Sequence, residues 1–118
     1  ADLFLDTPEY NAHGTATEVL SSGVPVLTLA GSKAHSSRVA ASVVIAAGLQ
    51  EMIARNLEDY EDIATKLIAR PHLLARLHDK LLEERKSSKL FDREWWAQQL
   101  ETSFLLLWEL FVHEVTAQ

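Results

Sequence analysis

The sequence predicts an α/β fold in which a few parallel strands alternate with helices and a helical tail follows. Three observations carry this. Leu3-Phe4-Leu5 and Pro25-Val26-Leu27-Thr28-Leu29 are short apolar runs bounded by Asp, Pro and Gly, which is the punctuation of strands. A helical pattern separates them, giving a βαβ unit expected to be right-handed. From Leu57 onward apolar residues recur at helical spacing and strand signals stop. Two or three strands make a poor sheet, and a doubly wound domain has more. The chain therefore reads as the C-terminal half of a Rossmann-like domain with few parallel strands, followed by helices.

Taken in order, Leu3-Phe4-Leu5 is expected to be a buried strand closed by Asp6 and Pro8, with a loop from Pro8 to Gly14. Thr15-Ala16-Thr17-Glu18 has the spacing of a capping box, which predicts a helix starting there. Gly23 is placed to end it. The run Pro25 to Leu29 is continuously apolar, as in a parallel strand covered on both faces. A helix from Ser37 to Ala47 is expected to turn Val39, Val43 and Ala46 to one side and to stop at Gly48. Met52-Ile53 is expected to be a brief third strand. Asn56 can cap a helix running from Leu57 to about Arg70, with Tyr60, Ile63, Ala64 and Leu67 inward. Pro71 suits the first turn of the next helix, whose apolar face is Leu73, Leu74, Leu77 and Leu81. After a polar connector at Lys86 to Leu90, Asp92 caps the last helix, with Phe91 and Trp96 as its hydrophobic staple. Its stripe is Trp96, Leu100, Phe104, Leu107, Trp108 and Phe111. That breadth calls for a partner surface.

Composition narrows the function. A chain of 118 residues holds one domain at most. A hydrophobic content of 47% argues against disorder. A net charge of −6 disfavours a nucleic-acid partner and an electrostatic membrane anchor. There is no cysteine, so disulfides and thiolate metal sites are excluded, in keeping with a reducing compartment. The apolar run Phe104 to Trp108 is too short to span a bilayer. No leader is read at Ala1-Asp2, where a strand pattern starts at once, and the chain reads as a piece of a longer one. His35, His72, His78 and His113 lack ligand spacing, so no metal is assigned. No nucleophile elbow occurs.

The candidate site is the loop and helix start at His13, Gly14, Thr15 and Glu18. The first N–H groups of a helix have no internal partner, and the macrodipole is positive there, which suits phosphate. Glu18 can accept hydrogen bonds from a ribose diol. The competing reading is plain capping, with Thr15 bonded to the Glu18 amide and Glu18 reaching back. His13 can contact a ligand or serve as a structural hydrogen-bonder. Arg38 can neutralise phosphate, but an ion pair within the fold is the expectation. Trp95, Trp96 and Trp108 can form a sugar platform, although their helical spacing points to core or interdomain packing.

The segment Asp6 to Ser42 resembles the O-linked N-acetylglucosamine transferases that modify serine and threonine of intracellular proteins, and their SPINDLY-type O-fucosyltransferase relatives. The resemblance covers nearly the whole chain. It rests on Leu5-Asp6-Thr7-Pro8, Asn11-Ala12-His13-Gly14-Thr15, Glu18-Val19-Leu20, Gly23-Val24-Pro25-Val26-Leu27-Thr28, Ser37-Arg38-Val39-Ala40-Ala41-Ser42 and Glu58-Asp59-Tyr60, in order and at matching spacing. Leu100 to Trp108 also looks like the family's last helix. The resemblance implies a GT-B fold, two Rossmann-like domains with a cleft between them, and transfer of a sugar from UDP-N-acetylglucosamine (UDP-GlcNAc) to a protein hydroxyl without a required metal or other cofactor. It implies a donor site in which His13, Gly14 and Thr15 hold the diphosphate and Glu18 the ribose. Three departures stand out: Gly14 where the family often has Thr, Ala12 where it has Gly, and a slightly longer loop from Gly31 to Ser37.

On this reading residues 1–56 are a partial donor-binding segment and 57–118 are C-terminal helices completing the same domain. The catalytic base is assigned to no residue. The partners implied are a UDP-sugar donor, protein acceptors, and the parent's upstream catalytic half and tetratricopeptide repeats, with no nucleic acid and no membrane. The fragment alone is expected to be inactive, and the parent to be cytoplasmic or nuclear. The alternatives are an O-fucosyltransferase using GDP-fucose, and a non-catalytic helical interaction module.

Overall fold

Val26, Leu27 and Thr28 are all buried, although alternate residues of a strand face opposite sides. Both faces of this strand are therefore covered, and the rest of the fold is arranged around it. The computed structural model describes residues 1–31 and 34–116. In it β1 is Phe4–Leu5, β2 is Val26–Leu29 and β3 is Ile53–Ala54. They form a parallel sheet in the order β1-β2-β3, with Phe4 opposite Val26 and Thr28 opposite Ile53. Helix α1, Gly14–Ser21, joins β1 to β2, and α2, Val39–Ala46, joins β2 to β3. The two helices pack on each other and on β2. Helix α3, Leu57–Ala69, packs across β2 and β3 and against α4, Pro71–Glu84.

Leu20, Val26, Leu27, Val44, Leu49, Met52 and Leu81 fill the core between these layers. Fully burying such a side chain contributes about 1.5–3 kcal/mol. Several predicted signals act as expected. Gly23 follows α1 with φ +88° and Gly48 follows α2 with φ +79°, the left-handed geometry that ends helices. Asn56 Oδ1 accepts the Asp59 N–H at 2.8 Å and Asp92 Oδ1 accepts the Trp95 N–H at 2.9 Å, so both predicted caps are made. Tyr60, Ile63, Ala64 and Leu67 face the core from α3, and Leu73, Leu74, Leu77 and Leu81 from α4.

Other expectations are corrected. β1 is an edge strand rather than a buried one, with Leu5 half exposed. Met52 is the last residue of a short 3-10 turn, Gln50–Met52, and the third strand begins after it. α2 buries Ala40, Ala41 and Val44, while Val39 and Val43 are only half-buried and Ala46 is exposed. Small residues thus take most of the buried positions of α2, which packs on α1 and β2.

The C-terminal end of α4 lies across the ends of α1 and α2. Arg85 Nη1 donates to Ser21 O at 2.6 Å, and Ser88 Oγ donates to Ala46 O at 2.7 Å. These bonds satisfy carbonyls that a helix leaves unpaired at its C-terminus. The opposite edge, where the strands end and the helices begin, carries the loops.

Helix α5, Arg93–Thr116, has 24 residues. It carries the molecule to 64 Å in its longest dimension. The radius of gyration is 17.8 Å, against roughly 13–14 Å for a compact domain of this length. Phe104, Leu105, Leu106, Leu107, Trp108, Leu110 and Phe111 are all exposed. Trp96 and Trp108 are exposed too, so they are not core residues of this chain. Trp95 is half-buried, with Lys89 Nζ 5.2 Å from its ring. No helix among the described residues is long and apolar enough to cross a membrane.

Candidate functional site

The site is built on Asp6, the first residue after β1. Its carboxylate is buried and therefore has to be paired. Oδ1 accepts the Ala12 N–H at 2.7 Å, and Oδ2 accepts the Thr28 hydroxyl at 2.7 Å. One side chain thus ties the loop of residues 7–13 to the central strand. Tyr60 of α3 adds a third tie, donating its hydroxyl to Asp6 O at 2.9 Å. Asn11, also buried, donates Nδ2–H to Thr7 O at 2.9 Å and its backbone N–H to Ser36 O at 2.9 Å. Its Oδ1 is buried without a partner among the described residues. The loop after β1 is thereby joined to the loop after β2.

This network sets where α1 begins. The helix starts at Gly14 with His13 as its N-cap, and no side chain caps it. The capping-box expectation is thereby corrected. Thr15 lies inside the helix, and Glu18 is too far along it to reach back to the cap. The first internal bonds run from Ala16 N and Thr17 N to His13 O. The amides of Gly14 and Thr15 have no protein partner among the described residues, and both residues are exposed. Two free N–H groups at the positive end of a helix favour an anion. Glu18 stands four residues after Gly14, on the same face. It is exposed, and its carboxylate has no ion-pair partner among the described residues.

The structure therefore places His13, Gly14, Thr15 and Glu18 together at the carboxyl end of the sheet, where open α/β folds bind ligands. His13 is half-buried and stacked on Tyr10, with ring centroids 4.9 Å apart. Its Nε2 is 3.4 Å from Ser36 O, so the structural hydrogen-bonding role has an observed partner. Arg38 makes no ion pair among the described residues, contrary to expectation, and its side chain is exposed. Depressions elsewhere, one between α3 and α4 and one beside β1, share no residue with this site. No three His, Asp or Glu side chains among the described residues are grouped to hold a metal ion.

Asp6, Tyr10, Asn11 and Tyr60 are missing from the predicted site. The signal for Asp6 is its place at the end of a strand ahead of Thr-Pro. Its role depends on Thr28, a contact no local pattern reveals. Burial and, secondarily, the Asp6 charge raise the Tyr60 pKa above its ordinary 10.0. The unfolded chain ionises first, so this contribution to stability is full below about pH 10 and is lost as pH rises through the folded value. Tyr60→Phe should abolish that alkaline loss while costing about 1 kcal/mol at neutral pH for the missing bond. Thermal unfolding followed across pH checks both parts.

Comparison with known proteins adds an independent line. Residues 1–100 match the sequence model of "Glycosyl transferase family 41". A probable UDP-N-acetylglucosamine–peptide N-acetylglucosaminyltransferase SEC of Arabidopsis thaliana is 41% identical over 93% of this chain and 11% of its own length. A UDP-N-acetylglucosamine–peptide N-acetylglucosaminyltransferase of Caenorhabditis elegans is 33% identical over 94% of the chain and 10% of its own length. A Thermobaculum terrenum O-GlcNAc transferase mutant superposes with a TM-score of 0.81 at 35% identity, covering 91% of this chain and 20% of that one. The chain thus spans about a tenth of the length of these curated relatives.

Proposed function

The chain belongs to glycosyl transferase family 41, and on that premise we propose that it is the C-terminal part of the donor-binding domain of a protein O-GlcNAc transferase. Residues 1–56 supply the diphosphate and ribose contacts, and 57–118 complete the same domain. The parent enzyme transfers N-acetylglucosamine from UDP-GlcNAc to serine or threonine hydroxyls. The bond from the anomeric carbon to the diphosphate breaks, UDP leaves with the electron pair, the acceptor oxygen takes its place, and the hydroxyl proton goes to a base that no residue of this chain is assigned to supply. Cysteine is absent from the chain, which suits the proposed cytoplasmic or nuclear setting.

The observation that supports this reading is the pair of amides, Gly14 and Thr15, that have no partner among the described residues at the positive end of α1. Preorganised donors aimed at charge that builds on a leaving group stabilise it without further reorganisation. The backbone N–H of Gly14 serves where the family often has a Thr hydroxyl. Glu18, one turn on, is within reach of the ribose.

Calorimetric titration of UDP into the complete enzyme tests the proposal. Saturable binding is expected, and no heat at millimolar UDP would overturn it. A parallel titration with GDP separates the fucosyl-transfer alternative, which predicts GDP as the tighter ligand. Glu18→Ala should raise the donor KM by about tenfold for the lost charged hydrogen bonds, with the melting temperature unchanged. Unaltered donor kinetics would remove Glu18 from the site.

A further inference from the structure

A second imidazole lies beside His13, on the loop after β2. His35 begins a short 3-10 turn, His35–Ser37. Its ring meets the His13 ring edge-on, with centroids 6.4 Å apart and planes at 74°. His13 itself stacks on Tyr10. Tyr10, His13 and His35 thus form an aromatic row centred on His13, the N-cap of α1.

The two histidines differ in what they can offer. A carbonyl oxygen only accepts, so the His13 nitrogen facing Ser36 O must carry the proton. His35 has no hydrogen-bond partner for either ring nitrogen among the described residues and is exposed. It can therefore donate an N–H to a phosphate oxygen without giving up an existing bond.

Its backbone is nevertheless fixed. Ser36 O accepts the Asn11 N–H at 2.9 Å, Gly31 N donates to Ser37 O at 2.7 Å, and the buried Ser37 hydroxyl donates to Ala34 O at 2.9 Å. A Cβ on Gly31 would collide with the Ser37 side chain, so the turn is packed tightly against the strand end. With the backbone pinned, binding has only the side chain's own rotamers to fix and no loop to order.

Resting on the proposed donor site, we infer that His35 is a further donor-positioning residue, giving a charge-assisted hydrogen bond to the diphosphate from the loop after β2. The complete enzyme is titrated with UDP as wild type, His35→Ala, His35→Gln and Gly14→Asp, and each variant is melted. His35→Ala should weaken UDP binding by about tenfold with no change in melting temperature. His35→Gln, which keeps an N–H donor, should recover most of that loss. If His35→Ala binds UDP like wild type while Gly14→Asp does not, the inference falls and the donor site stands. A parallel loss of melting temperature in His35→Ala, unrescued by Gln, also overturns it, as a purely structural role. If wild type fails to bind UDP, or Gly14→Asp binds it unchanged, the donor site falls and His35 with it.

Discussion

Gly14→Asp is expected to stabilise the fold slightly and to weaken UDP binding by tenfold or more. The two effects have opposite sign because one charge acts on two things. Gly14 is the first residue of α1, where no acidic residue stands in the first turn. A carboxylate there complements the macrodipole, contributing about 0.3–1 kcal/mol. Asp also replaces the poorest ordinary helix former. Nothing lies within 4 Å of a Cβ built at Gly14, so the change is sterically free. The same carboxylate then sits against the amides proposed to hold the diphosphate. Repulsion on the order of 1.4 kcal/mol is already tenfold in affinity. Gly14→Ala is the control, with stability raised by about 0.5–1 kcal/mol and UDP binding kept. A helix end with no ligand role predicts the stability gain for both variants and no binding loss for either.

Asp6→Ala should be the most damaging single change at this edge of the sheet. It leaves the Ala12 amide and the buried Thr28 hydroxyl without their acceptor. Hydrogen bonds to a charged group contribute about 1.5–3 kcal/mol, so a loss of about 2–5 kcal/mol is expected. It should also free the loop of residues 7–13 and so misplace His13 and the start of α1. UDP affinity should fall with stability, unlike the separation expected for Gly14→Asp. Thr28→Val removes only one of the two bonds and should cost about half as much. Chemical denaturation of the three proteins orders them. Near-wild-type stability for Asp6→Ala would contradict the role given to this carboxylate.

The parts of the fold that were legible in the sequence are those written in local chemistry. Asn56 and Asp92 each cap the residue three positions on, and Gly23 and Gly48 take the left-handed turn that ends a helix. α3 and α4 show a clear stripe because their outer faces are charged. α2, Val-Ala-Ala-Ser-Val-Val-Ile-Ala, is apolar nearly all round. Its period cannot choose a face, and close packing on α1 selects the small residues. Leu3-Phe4-Leu5 reads as buried from its composition, yet it lies at the sheet edge. Thr-x-x-Glu spacing puts the N-cap at Thr15, two residues past the observed His13, because it satisfies a capping box that the loop geometry does not form. Asp6 and Tyr60 lay beyond any local pattern, since Tyr60 bonds a residue 54 positions away. His13, Gly14, Thr15 and Glu18 are near one another in the sequence, and the N-cap and first turns of α1 keep them together.

The exposed start of α1 is proposed to hold a nucleotide's diphosphate. A crystal structure of the complete enzyme with UDP tests it most directly. The diphosphate oxygens should lie about 3 Å from the amides of Gly14 and Thr15, with the ribose hydroxyls on Glu18. UDP bound elsewhere, with those two amides left to solvent, would contradict it.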